Sequence, residues 1–191
     1  VFLGDGLRDL EQALTPYPRL RAYSVAGNCD YGALEPMDGL AAFDQTIVFY
    51  THGHMYGVKY DLDTLADAAA LKASTPDSIL LDAGDALHGT QSASLTGGMD
   101  MLSAFSAAGY DLQAMALNDF AYGTIRLVSD ANMGSGPSLA SNLLNNEATA
   151  VFYRSTSWNR NRITNGMNYV ITRAGYRIGF FSLADADTVN N

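Results

Sequence analysis

Five side chains that could hold a cation each follow a short apolar run: Asp5, Asn28, His52, Asp85 and Asn118. An aspartate carboxylate can bridge two divalent cations, an asparagine carbonyl is a hard neutral ligand, and a histidine nitrogen suits Zn or Mn. Two such ions about 3.5–4 Å apart generate hydroxide and clamp a phosphoryl group for in-line attack. Gly4 and Gly84, each preceding one of the aspartates, let backbone approach closely because no Cβ intervenes. His54, separated from His52 by Gly53, and His88, three residues past Asp85, are the candidates for a catalytic role. Each residue also has a plainer reading. An aspartate after a strand commonly caps the next helix, an asparagine there turns the chain, and a lone loop histidine such as His88 is ordinary surface. The ordered set is more specific than any member, and it favours a divalent metal: Mn, Fe, Zn or Mg.

The elements that must position these residues follow from hydropathy. Short apolar runs alternate with amphipathic stretches, the pattern of an α/β chain. Strands are expected at Val1–Leu3, Leu20–Val25, Thr46–Tyr50, Ser78–Leu81, Leu112–Leu117 and Ser138–Ser141. Helices are expected at Leu7–Leu14, Leu62–Ala73, Asp100–Ala108 and Ile125–Ala131, the third closed by Gly109. Val151–Arg154, Met167–Arg173 and Tyr176–Leu183 read as antiparallel strands, with Ala174-Gly175 turning between the last two and Ser155–Asn168 as a polar loop. The expected architecture is a layered, mostly parallel sheet flanked by helices, with a C-terminal antiparallel hairpin. In such sheets ligands bind at the carboxyl ends of the strands, where all five candidates lie.

Composition bounds the rest. A net charge of −9 and a pI near 4.5 oppose binding to a nucleic-acid duplex. The single Cys29 excludes an internal disulfide and a cysteine-rich zinc site, which is compatible with the cytoplasm. No stretch approaches the ~20 apolar residues of a membrane span, and no signal-peptide pattern is visible. The opening Val1-Phe2-Leu3-Gly4-Asp5 reads as a strand already under way.

Residues 1–69 resemble YfcE-type phosphodiesterases of the calcineurin-like metallophosphoesterase superfamily. The resemblance rests on Phe2-Leu3-Gly4-Asp5-Gly6, on Val25-Ala26-Gly27-Asn28-Cys29-Asp30 and on Tyr50-Thr51-His52-Gly53-His54-Met55-Tyr56-Gly57-Val58. It implies that Asp5 is the bridging aspartate, Asn28 the asparagine ligand and His52 a strand-end histidine ligand. Cys29 stands where the superfamily usually carries the histidine of Gly-Asn-His-Asp.

From about Leu71 to Asn191 the chain resembles the N-terminal metallophosphatase domain of bacterial 5′-nucleotidases. That match rests on Leu80-Leu81-Asp82-Ala83-Gly84-Asp85-Ala86-Leu87-His88-Gly89, Ala107-Ala108-Gly109-Tyr110-Asp111 and Tyr176-Arg177-Ile178-Gly179-Phe180-Phe181. It implies that Asp85 is a second bridging aspartate. Where that family has Gly-Asn-His-Asp/Glu-Phe, this chain reads Leu117-Asn118-Asp119-Phe120, as though the glycine before Asn118 and the histidine after it had been deleted.

The two resemblances meet within Asp61–Pro76. Two geometries follow: separate folding, which would leave the first ~70 residues a marginal domain, or one α/β domain over residues 1–191 with Leu62–Ala73 crossing from strand Thr46–Tyr50 to strand Ser78–Leu81. The preserved local patterning at the join favours the second. Neither part contains the opening Asp-x-His of the superfamily or its later Gly-His-x-His. The leading expectation is therefore a recombined or truncated metallophosphoesterase-like domain with an incomplete dinuclear site. The alternatives are an active divalent-metal phosphomonoesterase or phosphodiesterase taking a small phosphate ester, and a non-catalytic structural or designed chimeric protein. Exposed sheet edges lead to the further expectation of a homodimer.

Overall fold

A computed structural model describes residues 1–56, 62–133, 137–144 and 168–184. The chain divides into two compact units, Val1–Val58 and Lys59–Asn191.

In the first unit, Phe2 and Ser24 form a parallel bridge, with Phe2 N–H donating to Tyr23 O and Val25 N–H to Phe2 O. The expected strands Val1–Leu3 and Leu20–Val25 contract to this single bridge. Helix α1 (Leu7–Leu14) turns Leu7, Leu10 and Leu14 to one side, of which Leu7 is buried, and Pro16 and Pro18 prevent its extension. Strands β1 (Asp38–Phe43) and β2 (Thr46–Thr51) form an antiparallel hairpin in which Asp38 faces Thr51 and Phe43 faces Thr46. Asp44 turns the hairpin at φ 54°. Gly39 lies opposite Tyr50, and a Cβ there would come within 2.4 Å of the tyrosine ring. The missing side chain gives the ring its space.

The second unit carries the parallel sheet. Helix α2 (Leu62–Ser74) precedes β3 (Leu81–Asp82), and β4 (Leu112–Ala114) pairs with β3 on one side and β5 (Ser138–Leu139) on the other. Between β3 and β4 lie α3 (Gln91–Thr96) and α4 (Met99–Ala108). The Thr90 hydroxyl caps α3 by accepting Ala93 N–H, and Gly109 at φ 77° closes α4, its own N–H returning to Phe105 O and Ser106 O. After β4 come a 3₁₀ segment, Leu117–Tyr122, and α5 (Thr124–Met133). Leu65 of α2, Met101 and Phe105 of α4, Met115, Phe120 and Leu127 meet in the buried core.

Strands β6 (Tyr169–Arg173) and β7 (Tyr176–Phe180) form the C-terminal antiparallel hairpin around Ala174-Gly175. Asp111 ties several of these elements together. Its carboxylate takes Lys72 Nζ of α2, Leu80 N–H before β3 at 3.0 Å, and Arg173 Nη2 of β6 at 2.9 Å.

The chain is thus mixed α/β, with a parallel sheet, flanking helices and a terminal hairpin. Among the described residues the neighbour of β2 is β1 and the neighbours of β4 are β3 and β5. Strand Val151–Arg154, Met167 and the loop residues 155–167 lie outside the described residues.

Candidate metal centre and its second copy

The chain makes the same turn twice. Gly4 and Asp5 have φ of 97° and 57°, and Gly84 and Asp85 have 105° and 61°. Aspartate tolerates the left-handed region better than most side chains because its short carboxylate bonds locally. In the first unit this conformation aims the N–H groups of Asp5, Gly6 and Leu7 at the Asp30 carboxylate, at 2.7, 2.9 and 3.0 Å, and Gly27 N–H adds a fourth bond of 2.9 Å. Successive N–H groups turned to one point form an anion cradle, here filled by the chain's own acid. In the second unit Asp119 plays the same part, accepting Asp85 N–H and Ala116 N–H on Oδ2 and Leu87 N–H on Oδ1, at 2.8–2.9 Å.

This pattern sets the correspondence between the two turns. Asp30 binds the N–H three residues before it, at Gly27, and Asp119 binds the N–H three residues before it, at Ala116. Gly27-Asn28-Cys29-Asp30 therefore matches Ala116-Leu117-Asn118-Asp119 without a gap. The deletions expected around Asn118 are not there; the loop is full length and its residues are substituted. Leu117 stands in the place of Asn28, and Asn118 in the place of Cys29.

Burial separates the two cradle acids. Burial is the largest influence on Asp30 and pushes its pKa up, but the four N–H donors together outweigh it and bring the value from 3.8 to about 2. Asp119 is only 2% exposed. Burial pushes its pKa up, three N–H donors pull it down, the Asp85 charge pushes it up again, and the net shift is upward.

The sign of the Asp30 effect gives a first prediction. A depressed native pKa contributes stability that is present above the unfolded value of 3.8 and is lost as pH falls through about 2. Acid titration followed by hydrogen exchange across residues 1–56 is expected to show protection falling between pH 4 and 2. Asp30→Asn should start less protected and lose less over the same interval; an unchanged slope in that variant would contradict the assignment.

Three sequence-predicted residues converge in the first unit. His52 Nδ1 lies 2.7 Å from Leu3 O, and since a carbonyl only accepts, Nδ1 carries the hydrogen. His52 Nε2 then faces Asn28 Oδ1 at 3.0 Å and Asp5 Oδ2 at 3.5 Å. Asn28 directs its Nδ2 at Cys29 Sγ, 3.4 Å away, which leaves the amide oxygen toward His52. Asp5 Oδ1 is engaged by Cys29 N–H at 2.8 Å.

Two oxygens that only accept and one ring nitrogen thus share a point that needs positive charge, supplied by a proton on Nε2 or by a cation. Donors about 2.1 Å from one ion and about 90° apart stand about 3 Å from each other, so these separations fit a shared ion. The Nδ1–H bond to a backbone carbonyl is the usual means of fixing a metal-binding tautomer. Among the described residues no group of three His, Cys, Asp or Glu side chains could hold an ion, so the Asn28 carbonyl is needed as the third donor.

His54 packs edge-on against His52, ring centroids 5.1 Å apart, and among the described residues its buried Nδ1 has no hydrogen-bond partner. His88 belongs to the second unit, where its ring is tilted over Tyr122 at 5.5 Å, while the Tyr122 hydroxyl sits 3.2 Å from Ser94 Oγ. Asp85 meets Asn118 twice: Asn118 N–H donates to Oδ1 and Asn118 Nδ2 to Oδ2, both at 2.8 Å. A cation does not fit this donor set, because Leu117 offers no ligand atom and Asn118 presents its amide nitrogen to the carboxylate.

The sequence did not single out the cradle acids Asp30 and Asp119 or the Leu3 carbonyl. The acids had a visible signal, an aspartate closing each four-residue loop after a strand. The carbonyl had none.

No protein-family model matches the chain, and no curated protein matches it. Among solved structures the fold is similar to that of a 5′-nucleotidase precursor from Thermus thermophilus, with a TM-score of 0.52 and 15% sequence identity. The match covers 80% of this chain and 27% of that one, so the chain spans about a quarter of the length of the protein it matches.

Proposed function

We propose that the chain is a calcineurin-like metallophosphoesterase-type domain that keeps one part of a divalent-cation site, built from Asp5, Asn28 and His52, and hydrolyses phosphate esters poorly at best. The observation that carries this reading is the convergence of Asp5 Oδ2 and Asn28 Oδ1 on His52 Nε2, with Leu3 O fixing the opposite ring nitrogen. The fold likeness to a 5′-nucleotidase supports the same reading. A divalent cation bound there would polarise a phosphoryl oxygen and acidify a bound water.

The chain's own groups bind and orient. Asp5 is held from behind by Cys29 N–H, and His52 is held in one tautomer. His54, edge-on to His52, is a second imidazole able to hold a proton there. The donors that converge there, Asp5, Asn28 and His52, suffice for one ion. One ion without its partner loses the clamp on both the attacking and leaving oxygens.

The test is Mn²⁺ titration of the full chain, by calorimetry and by loss of the free-ion electron paramagnetic resonance signal. Wild type is expected to bind Mn²⁺, and Asp5→Asn and His52→Ala to weaken binding by more than about tenfold, the loss that even outer-shell partners cause. Wild-type protein that takes up no Mn²⁺, or variants that bind as tightly, would sink the reading. Turnover of a generic aryl phosphodiester that Asp5→Asn abolishes would instead establish an active hydrolase.

A further inference from the structure

We infer that the Asp85 turn is a self-closed copy of the Asp5 turn, in which Asn118 satisfies the carboxylate that the first turn leaves open, so that cation binding belongs to the Asp5 turn alone and Asp85 serves as a structural clasp. The comparison takes its reference from the cation reading of Asp5, but the clasp itself stands on bonds within the second unit.

Position by position, the two turns share a scaffold and differ where a ligand would act. The first oxygen of each carboxylate accepts the same backbone N–H, from Cys29 in one turn and Asn118 in the other. The second oxygen distinguishes them. Asp5 Oδ2 faces the His52 ring nitrogen, 3.5 Å away, whereas Asp85 Oδ2 receives a 2.8 Å bond from Asn118 Nδ2. An ion approaching Asp85 would have to displace that donor, and turning the Asn118 amide to offer its oxygen would break the clasp.

The neighbouring ligand position is also closed, because Leu117 replaces Asn28. Two bonds from one residue at the start of the 3₁₀ segment Leu117–Tyr122 pin that segment to the loop after β3. Asp119 beneath anchors the same two loops through three backbone N–H groups. The pair is a fastening, and it resembles a metal site in sequence because both uses need an aspartate and an asparagine at strand ends.

The experiment compares Asp5→Asn with Asp85→Asn in the full chain, reading Mn²⁺ stoichiometry and affinity beside hydrogen exchange at residues 116–120. Asp85→Asn is expected to keep the wild-type stoichiometry, with affinity within about twofold, and to exchange about tenfold faster at those amides, as the loss of a local hydrogen bond predicts. Asp5→Asn is expected to do the reverse. A lower Mn²⁺ stoichiometry or a tenfold weaker affinity in folded Asp85→Asn overturns the inference.

Should that variant fail to fold, Asn118→Ala removes the Nδ2 bond, keeps the backbone bond and carries the same two readouts. If wild type binds no Mn²⁺, the proposed function falls and exchange alone decides the clasp. Faster exchange in either variant then supports it, and unchanged exchange overturns it.

Discussion

Gly27→Ala is expected to dismantle the first turn. A Cβ on Gly27 would stand 2.0 Å from Asp5 Oδ1 and 2.5 Å from Asp5 N. The carboxylate could swing away, but the backbone nitrogen cannot move without breaking the 2.7 Å bond from Asp5 N–H to Asp30. Gly4 presses from the other side, because a Cβ there would lie 2.4 Å from Gly27 N. Overpacking a close-packed site typically costs about 1–3 kcal/mol, and here the obstruction is main chain, so about 3 kcal/mol or more is expected. Urea unfolding with hydrogen exchange over residues 1–56 measures that loss, and Mn²⁺ binding should disappear with it. A variant as stable as wild type would show that the two loops can separate at little cost.

Asp119→Ala is the second large effect, and it falls on the other unit. The methyl group would leave the N–H groups of Asp85, Leu87 and Ala116 without their acceptor in a site where the wild-type side chain is 2% exposed. Each stranded donor costs about 1–3 kcal/mol, and relaxation or water entry lowers the sum, so about 3–5 kcal/mol is expected. Asp119→Asn should cost less, because one amide oxygen still accepts Asp85 and Ala116 N–H while its nitrogen opposes Leu87 N–H.

Dependence on pH separates this acid from Asp30. A raised native pKa contributes stability that is fully present below the unfolded value of 3.8 and is lost as pH rises through the native value. The gap between wild type and Asp119→Asn should therefore be widest in acid and narrow as pH rises. Chemical denaturation at a series of pH values measures this, and a gap that widens toward neutral pH would refute the buried-acid assignment.

The sequence was most informative where one physical signal governed a whole element. Helix α1 matches its expected limits at Leu7 and Leu14, where a leucine stripe begins after Gly6 and ends before two prolines. Helix α4 extends one residue beyond its expected start and stops at Gly109 as the αL cap requires. The terminal hairpin turns at Ala174-Gly175 as its sequence suggests.

Other elements depend on partners that local sequence does not name. Strand β1 (Asp-Gly-Leu-Ala-Ala-Phe) contains no β-branched residue, and its extended form comes from pairing with β2. Helix α3 has no long apolar stripe and is defined instead by its Thr90 and Gly97 caps.

The candidate site was legible as residue types and hidden as geometry. Asp5, Asn28 and His52 stood out as strand-end side chains and do come together. What fixes the imidazole is a carbonyl 49 positions away, and a carbonyl has no letter of its own. The second turn misled for a related reason. With leucine at 117 and alanine at 116, Asn118 looked like the partner of Asn28, and only the bonds to Asp119 set the register.

Those bonds bear on how such chains diverge. The partners of Asp30 and Asp119 are all main-chain N–H groups, which nearly every amino acid supplies equally. Mutation can therefore exchange the side chains of the loop while the acid and the turn persist, held by selection for folding alone. A spaced Gly-Asp and Asp therefore marks the turn and not the ligands beside it, as the two turns of this chain differ in ligands and share the scaffold. A search that counts such spacings as metal sites would count both turns of this chain. The residue that tells them apart is the one before the cradle's neighbour, asparagine at 28 and leucine at 117.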